Sequence, residues 1–244
     1  MSSIKAVVFD IYETLAFNGP NLWLNSFRKI CESQNLFVEE NILWERWISL
    51  ERKFRLRRLD LETMELQRPF ESYEQAWRSC FVQVFEEMHL QGDPIAATEI
   101  CIRDLGMRPI YPDVLSTLEY IQAKCKIGAL SNADSSFFYP FLRFHGIEGK
   151  FSALQCSEDV QAYKPHPSIF KKILESLSVL PGEAIQIGDT LNEDVLGAQL
   201  IGMKAVWVNR SGRARDVNLP VPDFEIKELN ELGGILNNLR EAHE

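Results

Sequence analysis

The sequence lacks the features that mark membrane, redox and zinc-binding proteins. No apolar run approaches the ~18 residues of a membrane span, and the first residues have neither the basic nor the apolar region of a signal peptide. The five cysteines are scattered singly and form no C-x-x-C pair, so neither a zinc site nor a redox pair is indicated. Dispersed cysteines of this kind favour reduced thiols in a cytoplasmic protein.

The charge balance argues against a nucleic-acid partner. The 244 residues carry a formal net charge of -9 and include no long basic run. Apolar residues make up 45% of the chain, which is enough for a packed core. A small anionic substrate is still compatible with this composition, because local positive charge can outweigh the global sign. We expect no membrane partner, and the sequence does not distinguish a monomer from a homodimer.

Short apolar runs recur along the chain and alternate with helical patterns. Continuous runs of this kind suit parallel strands that are buried on both faces. Strands that alternate with helices predict a parallel sheet between two layers of helices, which is a Rossmann-like three-layer α/β/α core. The predicted strands are Ile4–Asp10, Lys126–Ser131, Ala184–Asp189 and Lys204–Asn209, with a weaker one at Phe151–Ser157.

One long segment, residues 18–106, breaks this alternation. It contains no convincing strand pattern, but several stripes of apolar residues recur at helical spacing. Asp93 and Pro94 provide an N-cap and a first-turn proline for one of the helices. We therefore predict an all-helical domain at 18–106, inserted into a core made of residues 1–17 and 107–244. A closing helix is expected between Glu228 and Glu244.

Polar side chains follow three of the predicted strands. Asp10 ends the first strand, Ser131 and Asn132 follow another, and Asp189 ends a third. Ligands of open parallel sheets bind at the carboxyl ends of the strands, so we expect these side chains to lie together. A single aspartate in such a place is usually a turn or capping residue. Three strands that all end in polar groups favour a functional site.

Four segments in this order resemble the four motifs of the haloacid dehalogenase superfamily. The segments are Phe9–Leu15 (FDIYETL), Leu130–Asn132 (LSN), Tyr163–Pro167 (YKPHP) and Gly188–Asp194 (GDTLNED). Each motif alone is weak, but four in the right order on the predicted elements are strong evidence. The resemblance implies a hydrolase whose core carries the site and whose helical insertion is a cap domain. Within the insertion the resemblance rests on helical content and position only.

The resemblance also implies roles for the site residues. Asp10 is the expected nucleophile, which forms a covalent aspartyl intermediate with the substrate. Thr14 and Ser131 offer hydroxyl donors, and Asn132 completes the second motif. Backbone N–H groups after Asp10 and Ser131 can hold an anion. Lys164 offsets the repulsion among the clustered carboxylates.

An oxygen-only ligand set makes Mg²⁺ the expected cofactor. By resemblance, the Asp10 carboxylate, the Tyr12 backbone carbonyl and Asp189 bind the ion. Asp194 is either a further ligand, directly or through water, or the partner of Lys164.

The residue type at position 12, which is tyrosine here, differs between the two activities of the superfamily. Phosphatases carry an aspartate at this position, which protonates the leaving alkoxide and then activates water. A phenol titrates near ~10 and is a poor base at neutral pH. The 2-haloacid dehalogenases carry tyrosine there, use no metal and hold the halide with a cap arginine, for which Arg46 is a candidate. Asp189 and Asp194 instead match the phosphatases.

Three activities therefore stay open. The preferred one is a Mg²⁺-dependent phosphatase of a small phosphomonoester, and the second is a metal-independent 2-haloacid dehalogenase. The third is a catalytically impaired protein that binds phosphate metabolites or a protein partner. Glu13 is a further departure, because the superfamily usually has glycine there. It either constrains the turn or brings its carboxylate to the site.

Overall fold

The computed structural model describes residues 3–241 as an alternation of strands and helices. Its strands are β1 (Ala6–Phe9), β2 (Lys126–Ser131), β3 (Ala153–Cys156), β4 (Ala184–Gly188), β5 (Lys204–Val208) and β6 (Phe224–Ile226). Its α-helices are α1 (Pro20–Ser33), α2 (Glu40–Leu56), α3 (Tyr73–Glu87), α4 (Pro94–Leu105), α5 (Val114–Gln122), α6 (Ser135–Phe144), α7 (Ser157–Val160), α8 (Pro167–Leu177), α9 (Leu196–Leu200) and α10 (Leu232–Glu241). The expected closing helix corresponds to α10, and its predicted end at Glu244 lies outside the described residues.

All six strands of the described chain run parallel in the order β3-β2-β1-β4-β5-β6. The central strand β1 pairs with β2 through Phe9 and Ala129, and with β4 through Phe9 and Ile187. Every residue of β1 is buried, as expected for a strand covered by helices on both faces. The predicted Rossmann-like α/β fold is confirmed. Strand β6 was not predicted, because three residues are too few to give a periodic signal.

The core on one face of the sheet is formed by α8 and α9. Helix α8 buries an apolar stripe that includes Ile169, Phe170 and Ile173 against residues of β1, β4 and β5. Gly197 in α9 allows a close approach, because a Cβ atom there would lie 2.2 Å from the Phe170 ring. This packing holds the strand ends that carry the polar residues.

The described residues divide into two compact units. The first contains the sheet and consists of the residues up to Phe17, Pro109–Asn132 and the residues from His145 on. The second is Asn18–Arg108 together with Ala133–Phe144. The second unit therefore includes α6, which the sequence analysis placed in the core segment 107–244. None of the described helices is both long and apolar enough to cross a membrane.

The core of the helical unit is aromatic. The Trp47 ring lies 5.4 Å from Trp23, 5.4 Å from Phe27, 5.9 Å from Trp77 and 5.5 Å from Phe81, measured between centroids. These rings come from α1, α2 and α3, so the apolar stripes of the sequence are the packing faces of these helices. Aromatic pairs at such distances stabilise a core beyond the area that they bury.

The segment before α6 caps another helix of the same unit. Asp134 is buried, and its carboxylate accepts hydrogen bonds from the backbone N–H groups of Tyr73 (2.9 Å) and Glu74 (2.7 Å) at the start of α3. Ser72 adds a capping box with Gln75. The first N–H groups of a helix have no partner within it, so this carboxylate satisfies two of them.

Replacing Asp134 tests this cap. Asp134→Ala leaves two N–H groups of a buried helix end unpaired, so we expect it to lower the free energy of unfolding by about 2 kcal/mol. Asp134→Asn keeps one carbonyl oxygen as an acceptor and is expected to cost less. Urea unfolding followed by tryptophan fluorescence measures both changes. Equal costs for the two variants would contradict the capping role.

Candidate active site

A buried lysine connects two carboxylates at the carboxyl edge of the sheet. Lys164 is 2% exposed, and its Nζ donates to Asp10 Oδ1 at 2.7 Å and to Asp194 Oδ1 at 2.6 Å. A third, longer hydrogen bond reaches the carbonyl of Leu130 at 3.3 Å. Both carboxylates are buried as well. A charge so far from water is retained only with partners of this kind.

The nucleophile candidate has one oxygen engaged and one without a hydrogen bond. Ser131 Oγ donates to Asp10 Oδ1 at 2.9 Å, so this oxygen accepts from both Ser131 and Lys164. Asp10 Oδ2 accepts no hydrogen bond from the described residues. Thr14 is fully buried, and its hydroxyl has no hydrogen-bond partner among them. A buried hydroxyl without a partner is unusual and favours a ligand contact at this position.

Asn132 holds the loop that carries Lys164. Its Oδ1 accepts from the Lys164 backbone N–H at 2.7 Å, and its Nδ2 donates to the Lys164 carbonyl at 3.2 Å. The same Nδ2 donates to Glu193 Oε2 at 2.9 Å. Sequence reasoning placed Asn132 in the site but missed this positioning role and the participation of Glu193. The motif spacing gives no signal for either contact.

Asp194 is held by several donors. Its Oδ2 accepts from the backbone N–H of Thr190 at 3.2 Å and from the Thr190 hydroxyl at 2.7 Å. Its Oδ1 accepts from Gln186 at 3.1 Å as well as from Lys164. A π-helical turn at Leu191–Val195 presents the carboxylate to these groups. Of the two roles expected for Asp194, the hydrogen bonds show the partnership with Lys164.

Asp189 completes a cluster of three carboxylates. Asp10, Asp189 and Asp194 can each offer an oxygen so that all three lie within 4.8 Å of one another. The Asp189 carboxylate accepts no hydrogen bond from the described residues, although its backbone carbonyl accepts from Trp207 (2.9 Å) and Arg213 (3.2 Å). Sequence reasoning missed both of these residues, of which Trp207 lies in β5 and Arg213 follows that strand.

The electrostatics of the cluster favour an additional cation. Burial raises the pKa of Asp10 to about 6, although Lys164 acts in the opposite direction. Burial also raises the pKa of Asp189 well above its ordinary value, and the charges of Asp10 and Asp194 raise it further. One lysine therefore does not balance three carboxylates. An oxygen-only set with an unpartnered carboxylate fits Mg²⁺, which would bind to Asp10 and Asp189.

Tyr12 and Arg46 are more exposed than the buried residues around Lys164. Tyr12 is half-buried in the turn after Asp10. Arg46 is exposed on α2 in the helical unit.

Glu13 has a left-handed backbone conformation with φ of 64°, and its Oε2 accepts from the Tyr111 hydroxyl at 3.2 Å. The negative charge of the Glu13 carboxylate also contributes to the raised pKa of Asp189, so Glu13 acts on the site electrostatically.

The lack of a side chain at position 188 makes room for Asp194. A Cβ atom on Gly188 would lie 2.1 Å from the Asp194 Cγ. We expect Gly188→Ala to lower the free energy of unfolding by at least about 2 kcal/mol and to displace Asp194 from Lys164. The matched control is Gly182→Ala, because a Cβ there would meet nothing within 4 Å. Urea unfolding of both variants checks this, and similar costs would refute the steric argument.

The buried carboxylate also predicts a pH dependence of stability in the metal-free protein. Because the folded-state pKa of Asp10 is about 6 and its ordinary value is 3.8, ionisation of Asp10 disfavours folding. In EDTA, the wild type should therefore lose stability relative to Asp10→Asn as the pH rises from about 4 to about 6. Denaturant unfolding at several pH values measures the difference. A difference that does not vary with pH would be the contrary result.

Comparison with known proteins identifies the family of this chain. A family model described as haloacid dehalogenase-like hydrolase matches residues 4–202. The chain is 25% identical to haloacetate dehalogenase H-2 of Moraxella sp. (strain B), over 95% of this chain and 97% of that protein. It is 29% identical to glyceraldehyde 3-phosphate phosphatase of Methanopyrus kandleri, over 97% and 98% respectively.

A solved structure supports the fold. The crystal structure of the HAD-hydrolase YfnB from Bacillus subtilis bound to magnesium matches with a TM-score of 0.78 and 21% identity. The match covers 97% of this chain and 100% of that chain. At this identity the similarity shows the shared fold alone.

Proposed function

Because the chain belongs to the haloacid dehalogenase-like hydrolase family, we propose that this hydrolase is a Mg²⁺-dependent phosphatase of a small phosphomonoester. The observation that carries the proposal is the carboxylate cluster of Asp10, Asp189 and Asp194, which has one lysine as its described cation. An enzyme that releases halide needs no cation there. The phosphatase relative from Methanopyrus kandleri, which matches almost the whole chain, supports the proposal.

The proposed reaction has two steps on Asp10. In the first, Asp10 Oδ2 attacks phosphorus, the bond between phosphorus and the ester oxygen breaks, and the alkoxide takes up a proton. In the second, water attacks phosphorus, and the bond between Asp10 and phosphorus breaks to release inorganic phosphate. Asp10 Oδ2 is suited to the attack because its partner oxygen, Oδ1, already accepts from Lys164 and Ser131.

The other residues bind and orient. The Thr14 hydroxyl, which has no partner among the described residues, would donate to a phosphoryl oxygen. Lys164 keeps Asp10 ionised and reduces the repulsion between the nucleophile and an anionic substrate. Asp10, the Tyr12 carbonyl and Asp189 would hold Mg²⁺, with Asp194 fixing Lys164 beside them. The ion would supply positive charge against which the phosphoryl oxygens are stabilised.

Tyr12 affects the two steps unequally. A phenol has an ordinary pKa near ~10, so it can protonate a leaving alkoxide, which is a much stronger base. It is a poor base for the attacking water at neutral pH. We therefore propose that breakdown of the aspartyl phosphate limits the rate, so that a burst of released alcohol precedes the steady state.

A specific observation also favours the second candidate, a 2-haloacid dehalogenase. Halide leaves carbon without a proton, so a tyrosine at position 12 costs that reaction nothing. Asp10 would then attack the halogenated carbon, the carbon–halogen bond would break, and water would open the resulting ester. The relative from Moraxella sp., a haloacetate dehalogenase, also matches almost the whole chain. In either reaction, residues 18–106 are proposed to act as a cap that shapes the pocket for a small anionic substrate.

Substrate assays with and without metal separate the candidates. A panel of phosphate esters should release phosphate with Mg²⁺ and lose that activity in EDTA. Halide release from 2-chloropropionate that persists in EDTA would favour the dehalogenase instead. Phosphate release that survives EDTA would overturn the metal-dependent proposal. Absence of both reactions would point to a protein that binds metabolites or a partner.

The nucleophile has its own control. Asp10→Asn should abolish turnover, because an amide oxygen does not form the aspartyl intermediate at a comparable rate. Activity retained by this variant would show that Asp10 is not the nucleophile in either reaction.

Rapid-mixing measurement of alcohol release tests the proposed burst.

A further inference from the structure

The turn that follows the nucleophile has an unfavourable backbone conformation at Glu13. Its φ of 64° is in the left-handed region, which glycine adopts readily and a side chain such as glutamate disfavours. The turn is closed by hydrogen bonds from Glu13 N–H to the Ala16 carbonyl (2.7 Å) and from Ala16 N–H to the Ile11 carbonyl (2.8 Å). Strained residues persist where their surroundings hold them, often at functional sites.

Two side chains from distant parts of the sequence hold this turn. The Tyr111 hydroxyl donates to Glu13 Oε2 at 3.2 Å. The Arg210 guanidinium lies 3.7 Å from the centre of the Tyr111 ring, and its Nη2 donates to the Thr14 carbonyl at 2.9 Å. We propose that Tyr111 and Arg210 are positioning residues, which form a clasp that keeps Glu13 left-handed and thereby orients the Tyr12 carbonyl.

Tyr111 and Arg210 are also held by contacts that do not involve the Glu13 side chain. Asp113 accepts from Arg210 Nη1 at 3.0 Å and from Nη2 at 3.1 Å, which is a bidentate pair. Tyr111 N–H donates to the Leu15 carbonyl at 2.9 Å, and the Tyr111 ring lies 3.7 Å from the Phe17 ring. The clasp therefore acts on Glu13 from anchored positions.

The geometry of the peptide unit explains why this matters for the site. The Tyr12 carbonyl and the Glu13 N–H lie in one rigid plane. Rotation about φ of Glu13 turns this plane relative to the Glu13 side chain, which Tyr111 holds. A Glu13 that relaxes to negative φ would therefore point the Tyr12 carbonyl elsewhere. The effect on Mg²⁺ rests on the proposed function, whereas the effect on the turn does not.

A double-mutant cycle between positions 13 and 111 tests the clasp. Tyr111→Phe keeps the ring under Arg210 and removes only the hydroxyl. Glu13→Gly removes both the strain and the side chain that the hydroxyl holds. We expect Tyr111→Phe to weaken Mg²⁺ binding and lower kcat about fivefold, with KM unchanged, and to have less than about a twofold effect in the Glu13→Gly background. Calorimetric titration with Mg²⁺ and steady-state kinetics measure these values.

The matched control is Tyr120→Phe, which removes a phenol hydroxyl on α5 that accepts a hydrogen bond from Lys124 instead. It should leave Mg²⁺ affinity and kcat unchanged in both backgrounds. The urea midpoint of the metal-free protein supplies a readout that is independent of substrate and metal. Equal effects of Tyr111→Phe in both backgrounds, in Mg²⁺ affinity, kcat and urea midpoint, would overturn the clasp. Coupling in the metal-free urea midpoint, with no turnover of any substrate, would overturn the proposed function and support the clasp.

Discussion

The Lys164 ammonium group lies between two buried carboxylates, and the rest of the site is arranged around it. An ionic group in such surroundings is stable only if every neighbour is in place, because removal of one partner leaves an uncompensated charge. Asn132 fixes the lysine backbone, while Thr190 and Gln186 fix Asp194. Asn132 follows β2, whereas Gln186 lies in β4 and Thr190 follows that strand, so the parallel sheet is what brings these groups together.

The same hydrogen-bond network is compatible with both candidate reactions, phosphate ester hydrolysis and dehalogenation. Asp10, the proposed nucleophile, has one oxygen that accepts from Ser131 and Lys164 and one without a hydrogen bond from the described residues, and this arrangement suits attack on phosphorus or on carbon. The two reactions differ in the charge that the electrophile brings and in the leaving group's need for a proton. The Asp189 carboxylate, which accepts no hydrogen bond from the described residues, bears on the charge of the electrophile, and Tyr12 bears on the proton that the leaving group needs. Asp189 favours a phosphatase, whereas Tyr12 favours a dehalogenase.

The sequence predicts the sheet well because its strands are continuous apolar runs, and β2 matches its predicted bounds. Helix α6 was missed, because Pro140 and a nearly continuous apolar run conceal its periodicity. The polar residues at strand ends were predictable from the topology of parallel sheets. The roles of Asn132, Tyr111 and Arg210 were not, since they depend on contacts between residues far apart in the chain. Glu13 was noticeable only as a departure from glycine.

The discontinuous helical unit has a consequence for protein engineering. Because this unit is proposed to shape the substrate pocket, its exchange between relatives would test that role, and residues 18–108 look like a self-contained segment. The unit also needs Ala133–Phe144, because Asp134 supplies the N-terminal cap of α3 and Phe137 stacks on Trp77. A functional chimaera must therefore transplant both segments together, with four junctions instead of two, one of them directly after Asn132.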